Sequence, residues 1–336
     1  MEYAMTRPND ALRAAGKILL TAGALCAALV FVLVHRGAAL PSFGLRNTPA
    51  RRALMGRHVF PPENPWNLDV SALPADPDSA RILSAIGLNT SLHPDFGTVW
   101  QGAPNGIPYC VVPGSQPRVP VTFEYADESD PGPYPIPPNA PVEGGSDGDG
   151  DRHVLVIDRD NWKLYELFAA RREGGGWHAG SGAIFDLRSG ALRPDGWTSA
   201  DAAGLPIFPG LVRYDEVMEQ KAILHALRFT CRHTRRTYIW PARHFASRSD
   251  DPALPPMGLR VRLRASYDIS QFPPCAKVIL TALKRYGMML ADNGGDWFLS
   301  GAPDPRWNDE ELGALKRVKG ADLEVVHVEP PSKRPN

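Results

Sequence analysis

Unbalanced charge is missing from this chain: 37 lysines and arginines meet 37 aspartates and glutamates. No global basic field exists to hold a phosphate backbone, so nucleic acid is excluded as a partner class. Cysteine is sparse, with four in 336 residues, and no CxxC or CxxxH pair supplies the spacing of a structural zinc site. Cys110, Cys231 and Cys275 are an odd number, for which one disulfide and one buried thiol is the simplest arrangement. Only one long apolar run occurs, so a polytopic membrane protein is excluded. No repeat period is visible, which argues against a solenoid.

Proline, in contrast, is abundant. There are 34, and 17 of them fall between Pro61 and Pro141, so that stretch reads as extended coil with short edge strands. Hydrophobic residues make up 43% and charged residues 22%, a balance that supplies a core and excludes wholesale disorder.

The single apolar run, Ile18 to Val34, has 17 uncharged residues and follows Arg7, Arg13 and Lys17. It is long for a signal h-region and short for a membrane span. Residues 1–35 therefore read as a signal peptide or an N-terminal transmembrane anchor, the uncleaved anchor being preferred, and 36–59 as a linker. Residues 60–330 read as a single β-rich extracytoplasmic domain, and 331–336 as a tail. The protein is expected at the inner membrane with its domain outside the cytoplasm, or secreted.

Asp76-Pro77, an apolar face at Ile82, Leu83 and Ile86, and a stop at Gly87 predict a helix over 77–86. Period-2 patterning marks strands at 153–158, 163–168, 183–187, 223–230, 237–242 and 259–265, the first two joined by a turn at 159–162. A helix is expected where Val278, Ile279, Ala282, Leu283 and Tyr286 share a face, and Asn308 with Glu311 has capping-box spacing. A last strand is expected at 323–328. This order predicts a mainly β protein with appended helices (α+β), built on a β-sandwich or jelly-roll-like core.

At 150–158, 179–189, 196–217, 225–230 and 240–244 the chain resembles a family of exported bacterial proteins of no assigned activity. The resemblance, over about residues 60–328, implies export and one continuous domain, and brings no catalytic residue with it.

Strand alternation over 223–230 puts His225 on the face of Ile223, Leu227 and Phe229, as a core residue or as an acid/base at the floor of a cleft. Just upstream, Arg213-Tyr214-Asp215-Glu216 follows a turn-rich segment, and a carboxylate there beside His225 would make an acid/base pair. Glu166 and Asp186 lie on partly apolar strand faces. They would suit glycoside hydrolysis if they met in a cleft, or form structural ion pairs if they did not. Arg213 and Arg228 are candidates to hold substrate charge, and Trp240 and Tyr214 to contact a sugar ring. The Arg260, Arg262 and Arg264 stripe reads as a solvated sheet face or an anionic-glycan surface.

Asp147, Asp149 and Asp151 alternate in a glycine-rich loop, where carboxylates can meet a calcium ion. Arg152 stands where an EF-hand needs glycine, so a solvated acidic loop is preferred and no cofactor is required. Ser146 sits in a G-x-S-x-G match, but a Pro-rich segment precedes it and a strand follows, the reverse of a nucleophile elbow.

The expected function is that of an exported carbohydrate-active protein, a glycoside hydrolase or polysaccharide lyase acting on a polysaccharide or envelope glycan. In that reading His225, Asp215, Glu216, Glu166 and Asp186 are the catalytic candidates. The alternative is a non-catalytic envelope module that binds glycan or a partner protein.

Overall fold

The protein is described from a computed structural model that covers Leu54 and residues 58–145 and 147–330. The described residues belong to one compact unit. The apolar run at 18–34 lies outside them. Among the described residues no helix is long and apolar enough to cross a membrane. The expectation of a transmembrane signal anchor is corrected on that finding.

The fold consists mainly of β-sheets, with few helices. In chain order the first strands are β1 (His93–Asp95), β2 (Val99–Trp100), β3 (Ala103–Pro104), β4 (Tyr109–Val112) and β5 (Val121–Phe123). They are followed by β6 (Val154–Asp158), β7 (Lys163–Phe168), β8 (Arg171–Glu173), β9 (Gly176–Ala179) and β10 (Ser181–Asp186). The last are β11 (Leu227–Cys231), β12 (Arg260–Leu263), β13 (Met288–Asn293), β14 (Phe298–Ser300) and β15 (Leu323–Val326). Among the described residues the α-helices are α1 (Ser79–Ile86), α2 (Pro274–Arg285) and α3 (Asp309–Gly313).

A six-stranded sheet runs β1-β14-β11-β13-β12-β15, and a four-stranded sheet runs β10-β7-β6-β4. A three-stranded sheet runs β5-β9-β8. The pairs β1·β14, β4·β6, β5·β9 and β11·β13 are parallel, so the sheets are mixed.

Alternation along β6 and β7 sends side chains to two separate cores. Leu155, Ile157 and Leu164 enter the main core with Phe229 and Leu290 of the six-stranded sheet. Val154, Val156, Tyr165 and Leu167 enter a second core with Trp177 and Ala179 of the three-stranded sheet. The four-stranded sheet is thus buried on both faces, and β6 has no exposed residue. The hairpin β6–β7 forms as its turn residues predict, with Asp158 opposite Lys163 and the Asp158 carboxylate accepting from the backbone of Asp160 and Asn161. Helix α1 packs on β15 and α2 on β12. Asn308 caps α3, its side chain accepting from the backbone N–H of Glu310 and Glu311.

Four expectations change. The strand expected at 223–230 begins only at Leu227, because Ala226 N–H donates to the Trp66 carbonyl (2.7 Å) instead of to a neighbouring strand. The segment 237–242 makes a single bridge, Tyr238 to Met257, and no strand. The arginine stripe is not a solvated face: β12 lies inside the sheet between β13 and β15, and Arg260 and Arg262 are buried beneath the Pro65–Val70 segment while Arg264 stays exposed. Cys110, Cys231 and Cys275 are all free thiols, which replaces the expected disulfide. They lie in β4, β11 and α2, and burial pushes each thiol up to about 12.

Candidate functional site

Glu216 and His225 meet as the sequence suggested. Glu216 lies in a π-helical turn, Asp215–Gln220, closed by Lys221 in the left-handed conformation at φ 58°. Its carboxylate accepts from Arg213 on one oxygen and faces His225 Nε2 at 3.1 Å on the other. The other ring nitrogen of His225 faces its neighbour's carbonyl, that of Ala226, at 2.7 Å. Burial alone would raise the Glu216 pKa, but Arg213 and His225 outweigh it and hold the carboxyl below the usual range.

The cavity at this group is only about 50 Å³, room for a few waters and not for a sugar ring. Both His225 nitrogens are engaged, and Arg213 spends a second N–H on the Phe208 carbonyl at 3.2 Å. The cluster is a clamp between the π-helical turn and the segment entering β11.

The remaining expected residues disperse. Glu166 is fully buried, and its carboxylate accepts the backbone N–H groups of Ile207 and Phe208 at 2.9–3.0 Å. Asp186 is exposed at the end of β10, where it accepts from the Arg188 N–H at 3.0 Å. Asp215 lines a small gap with Tyr214 and Arg306, and the Tyr214 ring lies under the Arg306 guanidinium at 3.9 Å. Trp240 sits at a different place, beside Arg260. Asp147, Asp149 and Asp151 are exposed and do not converge: among the described residues no group of three or more acidic, histidine or cysteine side chains could hold a metal ion. Among the described residues these three carboxylates do not form the calcium site weighed as the alternative to a solvated acidic loop. Ser146 lies outside the described residues.

The roomy site is elsewhere. A cavity of about 410 Å³ is walled by Phe168 and Ser181 of the four-stranded sheet and by Asp292 and Asn293 of the six-stranded sheet. Four carboxylate residues line it: Glu128, Asp151, Asp201 and Asp292. Hydroxyls of Ser181, Thr198 and Ser199, the His244 ring and the exposed Tyr125 complete its chemistry.

A bulge delivers Asp292 to this wall. Along β11·β13, Phe229 pairs with Leu290 but Thr230 pairs with Asp292, so Ala291 is an extra residue. In regular alternation Asp292 would share the Leu290 face. The skipped residue moves it to the face of Arg228 and Thr230. The Ala291 carbonyl accepts Ala203 N–H at 2.9 Å and so ties the 198–203 loop to the bulge.

Arg228 is the hub of the cluster. Its Nε and Nη2 form a bidentate pair with Asp201 at 2.8 and 2.7 Å, Nη1 donates to Ser300 Oγ at 2.6 Å, and Nη2 reaches Asp292 at 3.4 Å. With this fork occupied, Arg228 positions carboxylates and is not available to hold substrate charge. Burial, together with the neighbouring Asp201 carboxylate, raises the Asp292 pKa to about 7 against the pull of Arg228. Asp292 is therefore poised to hold or release a proton near neutral pH.

Behind the wall, His153 Nδ1 faces Glu143 Oε2 at 2.6 Å and Nε2 faces the Ala200 carbonyl at 3.0 Å. Both partners are acceptors, so both ring nitrogens donate and the ring is an imidazolium. Burial opposes that charge, but Glu143 outweighs it and lifts the pKa to about 9. On the far side, His244 Nδ1 donates to the Ala202 carbonyl (2.8 Å), leaving Nε2 4.0 Å from Glu128.

Asp201, Asp292, Glu128 and His153 were not singled out by the sequence reading. One signal was available: an aspartate ending an apolar strand and followed by Asn-Gly-Gly, in Met-Met-Leu-Ala-Asp-Asn-Gly-Gly from Met288 to Gly295. No family model, curated protein or solved structure matches the chain.

Proposed function

We propose that the chain hydrolyses a glycosidic bond in the cavity walled by Asp292. The observation that carries this reading is the placement, by the Ala291 bulge, of a carboxyl that titrates at about 7 on a 410 Å³ cavity with further carboxylates on its wall. In this reading Asp292, protonated, gives its proton to the leaving oxygen as the C–O bond breaks. Asp151, exposed on the same cavity, takes a proton from the water whose oxygen adds to the anomeric carbon. Hydroxyl and amide groups of Ser181, Thr198 and Asn293 are suited to sugar hydroxyls, and Tyr125 offers a face for stacking. We read the two larger sheets, which share one core, as the layers of a sandwich with helices appended.

The test is release of reducing ends by the full chain from a panel of neutral and acidic polysaccharides, beside Asp292→Asn with its folding checked. Activity in the wild type, lost in the folded variant, supports the reading. Unsaturated ends in place of simple reducing ends would replace hydrolysis with elimination. Retention on immobilised glycan without product, unchanged in Asp292→Asn, would leave a binding module and sink the catalytic assignment.

A further inference from the structure

The Asp292 cavity has carboxylates on its wall and neither lysine nor arginine. The cations behind the wall are matched already, Arg228 with Asp201 and His153 with Glu143. Glu128 and Asp151 are left on the wall without an arginine or lysine partner. An anionic sugar, a uronate or a sulfate ester, would enter against uncompensated charge of its own sign. The charge of the wall fits a neutral or positive guest.

Glu128 is the carboxylate available to meet a positive group. Asp201 is committed to Arg228. Asp151 and Asp292 exchange protons in the hydrolytic reading, and a cation beside either would loosen its hold on a proton. Glu128 has neither duty. Its Oε2 accepts the Thr198 N–H at 3.0 Å, and no described residue donates to its Oε1.

A second acceptor stands beside it. His244 Nδ1 donates to the Ala202 carbonyl at 2.8 Å, so in the neutral ring Nε2 carries a lone pair. That nitrogen is 4.0 Å from Glu128 Oε2, and no described residue donates to both. A hydroxyl or an acetamido group has a single O–H or N–H to offer such a pair, whereas an ammonium has three. Tyr125, at the head of the turn that ends in Glu128 and 47% exposed on the same wall, adds a ring face that attracts a cation. With about 410 Å³ around it, the seat can hold the sugar ring that carries the amine.

We propose that the cavity takes a sugar bearing a protonated amine, its ammonium seated between Glu128 and His244. On the reading of this cavity as a glycan site, on which this rests, the substrate class is a glycan of free hexosamine units, and uronate and sulfated glycans are refused. Glu128 then sets specificity, and Asp292 keeps the chemistry.

Calorimetric titration of the full chain at neutral pH compares D-glucosamine, N-acetyl-D-glucosamine and D-glucuronate. Glucosamine should bind at least about tenfold tighter than its acetylated form, with glucuronate the weakest of the three. In Glu128→Gln, whose amide oxygen can still accept the Thr198 N–H, that preference should shrink to about twofold or less. Equal affinity for the two hexosamines, no binding of either, or a preference unchanged in the folded variant would overturn the proposal. A wild-type crystal soaked in glucosamine needs no variant: the amine nitrogen is expected within hydrogen-bond reach of Glu128 and His244, and an amine placed elsewhere would overturn it. None of these sugars has a glycosidic bond to cleave. Failure of the amine preference therefore sinks the substrate class alone, and failure to release reducing ends from any glycan, amine-bearing ones included, sinks hydrolysis alone.

Discussion

Asp292 reaches Arg228 at 3.4 Å because β13 carries one residue more than β11 at Ala291. That skip sets a carboxyl of raised pKa against an arginine already committed to Asp201, on the wall of a cavity of about 410 Å³.

If Asp292 is the general acid of glycan hydrolysis, activity requires its protonated form and should fall as pH rises through about 7. Asp292→Asn should lose at least a hundredfold in rate, since a positioned acid contributes ~10²–10⁴. The initial-rate pH profile checks the first statement and the variant the second. An alkaline limb unchanged in the variant would assign that limb to another group.

The same carboxyl has a stability consequence of definite sign. Its folded pKa of about 7 exceeds the ordinary aspartate value of 3.8, so the folded state holds this proton longer than the unfolded one. Its contribution is complete below about 4 and is lost as pH rises through about 7. Asp292→Asn should therefore be more stable than the wild type above pH 7, by about 2 kcal/mol after discounting for its partial exposure. Urea unfolding at pH 5 and pH 8 measures the difference. A destabilised variant at pH 8 would show that the ionised carboxylate is needed by the fold.

Removing Arg228 should act in the opposite direction. Arg228→Met leaves Asp201 buried without its bidentate partner and removes the donor to Ser300, a loss of about 3–5 kcal/mol. Denaturant unfolding reads it directly. A loss below about 1 kcal/mol would mean that Asp201 finds other donors.

Much of the frame is legible in the sequence because it depends on local rules. The hairpin turn at 159–162, the apolar face of α2 and the Asn308 cap each need only neighbouring residues. The Glu216–His225 pair was legible for the same reason, with the carboxylate and the histidine nine positions apart on adjoining segments. The Asp292 cavity was not. It depends on a one-residue bulge, and the alternation of Met288–Asn293 puts Asp292 on the wrong face if Ala291 is counted as a regular strand position. The arginine stripe misled because nothing within 259–265 records that Pro65 and Val70, about 190 residues earlier, cover it.

His153 makes a prediction at alkaline pH. Its folded pKa of about 9 lies above the ordinary histidine value of 6.5, because Glu143 outweighs burial. The stability from this pair is fully present below about 6.5 and is lost as pH rises through about 9. A histidine ring resonance titrating near 9, absent in His153→Gln, is the expected NMR signature. Since Nε2 also holds the Ala200 carbonyl, deprotonation should loosen the 198–202 loop that lines the cavity. Faster amide exchange in that loop at pH 9.5 than the intrinsic pH effect accounts for would register it.

Glu166 gives the sharpest separation of fold from function. Its carboxylate accepts from Ile207 and Phe208 and is fully buried, and burial raises its pKa to about 7 from 4.5 despite those two donors. Folding favours the protonated form, so stability is greatest below about 4.5 and declines by about 3 kcal/mol as pH rises through 7. Glu166→Gln keeps an oxygen to accept the amides but cannot ionise, so its stability should stay flat over that window while the catalytic pH profile is unchanged. Glu166→Ala removes the acceptor and strands two buried N–H groups, costing about 2–4 kcal/mol below about pH 4.5 and less as pH rises and the wild-type carboxyl ionises. A Glu166→Gln protein that kept its stability but lost activity would show that the carboxyl, fully buried as it is, takes part in the chemistry.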